Sequence, residues 1–428
     1  MRLLVFGDNR EGQLGVSYHE DNTVRYRDDL TTVELVPTTD GAEASSNDAS
    51  VLGSLCKAIT YPNEVLHVDC SSVSRVSCSR HNTFVILRNG VLLTCGANDN
   101  NELGRSGKRS WLHRVDAIET FQARDVSLGD GFATIICDDG KLLSWGKNEL
   151  GQLGNGTRDG KEKPRVNSSI QDSFLQVACG GTHTVSLTKS GRVLTWGGNS
   201  KGQLGDGQLT SSTTPLSALQ LRHRPVVSVS CGENHCLALT IGGNVYAWGD
   251  NSFGQLGLMD AKNRLRPEQI KSMRSIGARS ISAGRNHSLV VSHSGLLLSF
   301  GSNSHGQLGL DSEAKVQMQP QVVERLREFF TINAVGGFSH TLALVVLHRC
   351  SHAGQSVGDL RTLLLDGAVS APPPIDGAVS VDGIIPKIFV MGLNSSGQVL
   401  HGPLAISIIM HICMHTLAYI RLVVRYYS

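Results

Sequence analysis

The sequence predicts an all-β protein, a seven-bladed β-propeller built from repeats of about 50 residues and closed by N- and C-terminal strands sharing one blade. Three observations predict it. The block Trp145–Gly154, Trp-Gly-Lys-Asn-Glu-Leu-Gly-Gln-Leu-Gly, returns at Trp196–Gly205, Trp248–Gly257 and Phe300–Gly309. The steps between Gly146, Gly197, Gly249 and Gly301 are 51, 52 and 52 residues, and looser copies begin at Phe6, Cys95 and Met391. Each period holds about four short strand patterns joined by Gly-bearing turns such as Thr188-Lys189-Ser190-Gly191, the signature of successive hairpins. The third observation is compositional: 47 glycines, 5% aromatics and no sustained helical periodicity disfavour a helical solenoid. A unit this small needs its neighbours to bury a core, so residues 1–428 are read as one propeller domain.

The elements follow in chain order. The half-repeat Leu3–Gly15 has no strand pattern in front of it. Residues 16–75 separate the first and second blades, are rich in Asp, Glu, Ser and Thr up to Asn47, and read as an acidic, polar insertion. The pattern that opens a repeat, Val177–Leu187, recurs at Val229–Leu239, Ile281–Val291 and Ala334–Leu344, and more loosely at Val76–Leu87 and Val126–Cys137. Residues 346–386 interrupt the sixth blade and carry Pro372–Pro374 between Asp366–Ser370 and its near-duplicate Asp376–Ser380, a flexible surface excursion. In the atypical apolar tail, residues 403–428, Met414–Tyr419 is similar to Ser339–Leu344 and is read as the closing half of the last blade. The stretch Leu404–Val424 is long enough to span a bilayer. It contains His411, His415 and Arg421, which are costly in lipid, so membrane anchoring is the disfavoured alternative.

The repeated glycines and asparagines have a mechanical reading. Gly146, Gly197, Gly249 and Gly301, with Asn148, Asn199, Asn251 and Asn303, are expected to build the turn rather than bind anything. Glycine tolerates positive φ, and asparagine tolerates it better than other residues and can bond its own backbone. Asn101 stands where other copies have Gly151, Gly202, Gly254 and Gly306, a substitution that a left-handed position accepts.

Charge argues against a direct nucleic-acid partner, because 39 Lys+Arg nearly cancel 37 Asp+Glu and no basic face is implied. Two basic runs, Arg105–Arg114 and Lys262–Arg279, are read as solvated loops, with an acidic partner surface as the alternative. The ten cysteines include no Cys-x-x-Cys pair and no zinc-like spacing, so no metal is expected. Cys78, Cys179 and Cys231 share one repeat position and read as small core residues. Met1-Arg2 leads straight into the first strand pattern, which points to a reducing compartment, cytoplasm or nucleus. Gly154–Lys161 looks suited to phosphate but lacks P-loop spacing.

Gly-x-Asn-x-x-Gly-Gln-Leu-Gly paired with Gly-x-x-His-Thr-x-x-Leu resembles the regulator of chromosome condensation repeat, from Leu3 to about Ala418 apart from the insertions. The resemblance implies a seven-bladed propeller. The family's founding member is an exchange factor for the nuclear GTPase Ran and docks on chromatin, while others are scaffolds, ubiquitin-ligase modules, ciliary proteins or a plant ultraviolet-B photoreceptor. The photoreceptor's Gly-Trp-Arg-His-Thr loops have no counterpart here, and no basic arm precedes the first repeat.

The resemblance also implies which residues face a partner. The loops before the repeated histidines offer Arg80, Asp130, Gly181, Thr182, Glu233, Asn234, Arg285, Asn286 and Ser339 as candidate contacts. The histidines themselves, His81, His183, His235, His287, His340 and possibly equivalent His415, are assigned one repeat position. A fixed site repeated on different blades reads as a hydrogen-bonding core residue, not a metal or catalytic cluster. No catalytic residue and no cofactor is expected. The functional expectation is a monomeric protein-interaction propeller, a candidate guanine-nucleotide exchange factor for a Ran-type GTPase. A non-catalytic scaffold is the alternative, because exchange in this family uses a projecting wedge and the regular period from Gly154 to Gly309 shows none.

Overall fold

The computed structural model describes residues 73–347, apart from 108, 110, 111, 119 and 168–171, together with strands at 3–5, 31–33 and 386–392. The expected closing tail at 403–428, His415, most of the two insertions and the nonapeptide copies at Phe6 and Met391 beyond Gly392 lie outside the described residues.

At the N-terminus β1 (Leu3–Val5) pairs antiparallel with β2 (Thr31–Val33). Six further sheets follow, each an antiparallel meander. Blade A is β3 (Val73–Cys78), β4 (Asn82–Leu87), β5 (Leu92–Gly96) and β6 (His113–Arg114). Blade B is β7 (Ala123–Leu128), β8 (Phe132–Cys137), β9 (Leu142–Gly146) and β10 (Lys161–Val166). Blade C is β11 (Phe174–Cys179), β12 (His183–Thr188), β13 (Val193–Gly197) and β14 (Ser212–Ser217). Blade D is β15 (Val226–Cys231), β16 (His235–Thr240), β17 (Val245–Gly249) and β18 (Arg264–Gln269). Blade E is β19 (Ala278–Ala283), β20 (His287–Ser292), β21 (Leu297–Ser302) and β22 (Val316–Val322). Blade F has three strands, β23 (Phe329–Gly336), β24 (His340–Leu347) and β25 (Pro386–Gly392). The only helices among the described residues are single 3-10 turns, such as Leu219–Leu221 and Lys271–Met273.

The first strands touch in succession, β3 to β7, β7 to β11, β11 to β15, β15 to β19 and β19 to β23, and so line the axis around which the blades are arranged. Second strands are buried along their whole length, β12, β16 and β20 for example. Fourth strands are the exposed edges, and four carry a proline: Pro164, Pro215, Pro267 and Pro320. Proline donates no ladder hydrogen bond, which blunts an edge against pairing with another chain.

Five apolar clusters among the described residues each belong to two blades, and a sixth, Val73, Val85, Leu87 and Leu93, lies within blade A. Phe84, Ile86 and Leu103 of blade A pack with Val126, Ile135 and Trp145 of blade B. Phe132, Ile136 and Leu153 pack with Phe174, Val177 and Trp196 across the next junction. Later junctions repeat the arrangement. Blades B to F therefore share their cores with neighbours, which is the physical content of the repeat.

The turn chemistry read from sequence is present. Asn101 has φ of 61°, beside 82° at Gly151 and 81° at Gly202. The repeated asparagine does more than close its own turn. Asn199 Oδ1 accepts from Leu204 N–H at 2.9 Å, and its Nδ2 donates to the carbonyls of Gln208 and Thr210, both at 3.1 Å.

Three expectations change. His81 does not share the histidine position: β4 pairs with β5 so that Asn82 faces Gly96, as His183 faces Gly197 and His235 faces Gly249. The sequence spacing is one residue ambiguous there, and strand register decides it. The cysteine position is not uniformly core. Cys179 is buried and Cys231 half-buried, their thiols donating to the carbonyls of Ser127 and Ala178 in the preceding blade at 3.5 and 3.4 Å, whereas Cys78 is exposed. β2 falls within residues 16–75, β3 begins at Val73, and β24 runs on to Leu347.

The basic runs are not simply solvated. Arg105 Nη2 donates to Thr94 O at 2.6 Å. Arg264 is held by Asp260 at 2.8 Å and Glu268 at 2.5 Å. Arg279 crosses into blade F, donating to the carbonyls of Thr331 at 2.8 Å and Ile332 at 2.6 Å.

Candidate functional site

The loop between the first and second strands of each blade carries the expected contact residues. In blade C it is Cys179-Gly180-Gly181-Thr182-His183. Gly180 is needed because the His183 imidazole lies where a β-carbon would be, and Gly232 and Gly284 stand in the same relation to His235 and His287. The folded-back ring closes the loop tightly and aims its next two residues outward.

Backbone hydrogen bonds join these loops from blade to blade. Asp130 N–H donates to Gly181 O at 3.1 Å, and Gly181 N–H to Glu233 O at 2.9 Å. Glu233 N–H donates to Arg285 O at 3.0 Å, and Arg285 N–H to Gly337 O at 3.0 Å. The first loop position is thus tied together from Asp130 through Gly181 and Glu233 to Arg285, with Gly337 taking the last bond. Arg80 and Phe338 hold the same loop position in blades A and F, and together these residues form a mouth at one end of the blades. Satisfied backbone groups hold the tied loops rigid while their side chains remain free to differ.

The second loop position is set back. Thr182, Asn234 and Asn286 are half-buried, and their carbonyls accept from Gly198, Asp250 and Ser302 N–H at 2.8, 2.9 and 2.8 Å within their own blades. His81, which the register moves into this class, accepts from Ala97 N–H at 2.9 Å. Ser339 is half-buried as well.

Of the expected contact residues, three converge. Glu233 takes an ion pair from Arg285 Nε at 2.5 Å. The Arg285 guanidinium lies 4.1 Å from the centre of the Phe338 ring, and that of Arg80, from blade A, lies 5.3 Å from the same ring. Phe338 is 42% exposed, so an aromatic plate flanked by two cations sits open at the mouth. Sequence reasoning chose Ser339 and passed over Phe338, although counting back two residues from His340 finds it. Asp130 is exposed and has no ion pair among the described residues.

Behind the mouth run the histidines. His183 Nε2 meets Cys236 Sγ at 3.1 Å, His235 Nε2 meets Ser288 Oγ at 3.0 Å, and His287 Nε2 meets Thr341 Oγ1 at 3.0 Å. Each bond crosses a junction. Burial, reinforced by neighbouring histidines, lowers His235 to about 3, and burial then His340 lower His287 to about 4, so both rings are neutral near pH 7. Asn82 and Phe132 occupy the position in blades A and B.

A second seam element was not foreseen. The main-chain carbonyl of the repeated glutamine accepts from the next blade's tryptophan: Trp196 Nε1 to Gln152 O at 2.9 Å and Trp248 Nε1 to Gln203 O at 2.8 Å. Trp145 does the same to Glu102 O at 2.8 Å. The regular aromatic before each repeat glycine was the available signal.

The model of the RCC1-like domain matches residues 2–358, and the chain belongs to this family. E3 ubiquitin-protein ligase HERC2 of Mus musculus is 31% identical over 307 residues, which are 70% of this chain and 6% of HERC2. The probable E3 ubiquitin-protein ligase HERC6 of Homo sapiens is 34% identical over 277 residues, 63% of this chain and 27% of HERC6. The chain therefore spans only a small part of these curated relatives. The crystal structure of Prp20p from Saccharomyces cerevisiae superposes with a TM-score of 0.63 at 19% identity, covering 81% of this chain and 80% of Prp20p, a likeness of fold.

Proposed function

We propose that this RCC1-like propeller is a protein-docking ring whose mouth engages a small Ras-like GTPase of the Ran type and promotes release of its nucleotide. The observation that carries the reading is the contrast at the mouth: loops joined from blade B to blade F by interblade backbone hydrogen bonds present side chains as unlike as Asp130, Glu233, Arg285 and Phe338 at one loop position. Support comes also from the family and from Prp20p, the yeast RCC1, whose structure is described with its binding to Gsp1p and histones. Exchange needs no covalent chemistry. The ring need only bind the nucleotide-free GTPase more tightly than the loaded form, which shifts the equilibrium toward release.

In this reading Asp130 supplies a free carboxylate, the Arg285–Glu233 pair a polar anchor, and Phe338 with Arg80 an aromatic and cationic plate. Thr182, Asn234 and Asn286 complete the polar rim. The ring has seven blades, the seventh completed by β1 and β2 with chain from the C-terminal side, and the protein works as a monomer in the nucleus or cytoplasm.

The experiment is release of a fluorescent GDP analogue from preloaded Ran, with and without the full chain. Acceleration that falls at least tenfold in Asp130→Ala and Arg285→Ala establishes exchange and its face. No acceleration of Ran or of other small GTPases rejects it. One observation favours a second reading, a scaffold using the same mouth without exchange: steps of 51, 52 and 52 residues leave no chain for a projecting wedge between Gly146 and Gly301. Capture of a GTPase without release would support that reading.

A further inference from the structure

We propose that the junction of blades C and D is a zinc site, with His183, Cys231 and Cys236 as its protein ligands. The three come from two blades: His183 opens β12, and Cys231 and Cys236 face each other across β15 and β16. His183 Nε2 lies 3.1 Å from Cys236 Sγ, and the two sulfurs are 4.0 Å apart. All three ligand atoms fall within 4.8 Å of one another. A tetrahedral zinc ion, with Zn–S of about 2.3 Å and Zn–N of about 2.0 Å, spaces its ligand atoms roughly 3.5–3.8 Å apart. The His183–Cys236 and Cys231–Cys236 separations each lie within about 0.5 Å of that spacing.

The other junctions show why this one is different. Each places the same trio of positions together, but the next holds His235, Ala283 and Ser288, and the one after it His287, Gly336 and Thr341. The preceding junction holds Phe132, Cys179 and Thr184. Hydrogen bonding explains a hydroxyl opposite the imidazole, as at Ser288 and Thr341. It does not require two thiols and an imidazole in one cluster. Soft thiolate and imidazole donors are the set that zinc selects over harder cations.

Charge and access agree with this assignment. Zinc binding releases one proton from each thiol to solvent, and Zn²⁺ with two thiolates and a neutral imidazole carries no net charge. A buried seam can hold a neutral assembly, where a bare charge would be costly. Cys231 is half-buried on the strand that lines the axis, which gives the ion a route of entry and leaves its fourth position to water. Because binding displaces the two thiol protons, occupancy should climb with pH.

The test uses the full chain under reducing conditions, incubated with Zn²⁺, freed of loose metal by gel filtration and assayed by elemental analysis. Cys236→Ser and Cys231→Ala install the residue types that the next junction already uses at Ser288 and Ala283, so both variants should fold. The expected result is one more equivalent of zinc per chain in the wild type than in either variant. Cobalt loading should give a thiolate-to-metal charge-transfer band that both variants lose and Cys179→Ser keeps. Equal zinc content in wild type and variants overturns the proposal, as does a cobalt spectrum without thiolate bands.

Discussion

The seams between blades and the mouth of the ring are written by the same repeat, yet the repeat fixes different things in each. Along the seams it fixes side chains as well as backbone: Trp196 and Trp248 bond to the preceding glutamine carbonyl, and His235 and His287 bond to the following hydroxyl. At the mouth it fixes backbone alone, and Arg80, Asp130, Gly181, Glu233, Arg285 and Phe338 share one place. Burial accounts for the difference. A buried polar group without its partner loses its full solvation, so seam positions admit few residue types, whereas an exposed side chain is re-solvated by water. What varies between blades on an invariant frame is available for recognition.

That comparison can be broken in five ways. Trp248→Ala removes a fully buried ring and leaves Gln203 O with only the weaker thiol donor of Cys236 at 3.4 Å, and should cost about 3–5 kcal/mol in urea unfolding. Gly197→Val sets a β-carbon 2.6 Å from Thr182 O at φ of 100°, and about 2–4 kcal/mol is expected. An unchanged melting temperature there would contradict the close packing claimed for the seam.

Acid should act on the seams before the mouth. His235 and His287 have folded values of about 3 and about 4 against 6.5 for the free side chain, so the unfolded chain binds the extra protons. Stability is fully present above pH 6.5 and declines as pH falls toward those values, by about 2 kcal/mol per histidine between pH 6.5 and 5. His287→Gln should remove one proton from that slope, and an unaltered slope would refute the assignment. Asn101→Ala should cost about 1 kcal/mol, while Asn101→Gly should stay within about 0.5, because only the left-handed φ of 61° is at stake. Asp130→Ala is the smallest stability effect, within about 0.5 kcal/mol. If it destabilises the ring instead, Asp130 belongs to the frame and the mouth is not free to vary.

Much of the fold was legible because turn chemistry is local. The Asn101 substitution announced a left-handed position with no knowledge of its neighbours. Register was harder. Arg80-His81-Asn82 contains a histidine one residue from the repeat position, and only the pairing of Asn82 with Gly96 shows which residue enters the seam. Phe338 was passed over for a related reason: a loop residue reads as a contact only when its exposure and its cationic neighbours are known. The basic runs misled because sequence shows the charge of Arg264 and Arg279 but not the carboxylates and carbonyls that take it up.

The sequence by itself determined the period, the glycine and asparagine positions of each turn, and the all-β class, since these depend on residues a few places apart. The tertiary structure alone decided the partners across blades. His183 and Cys236, 53 residues apart, meet because successive blades pack side by side about one axis. Glu233 and Arg285, 52 residues apart, do the same at the mouth. A period states how far along the chain the pattern recurs, whereas the angle between blades, set by how their buried side chains pack, states which copies touch.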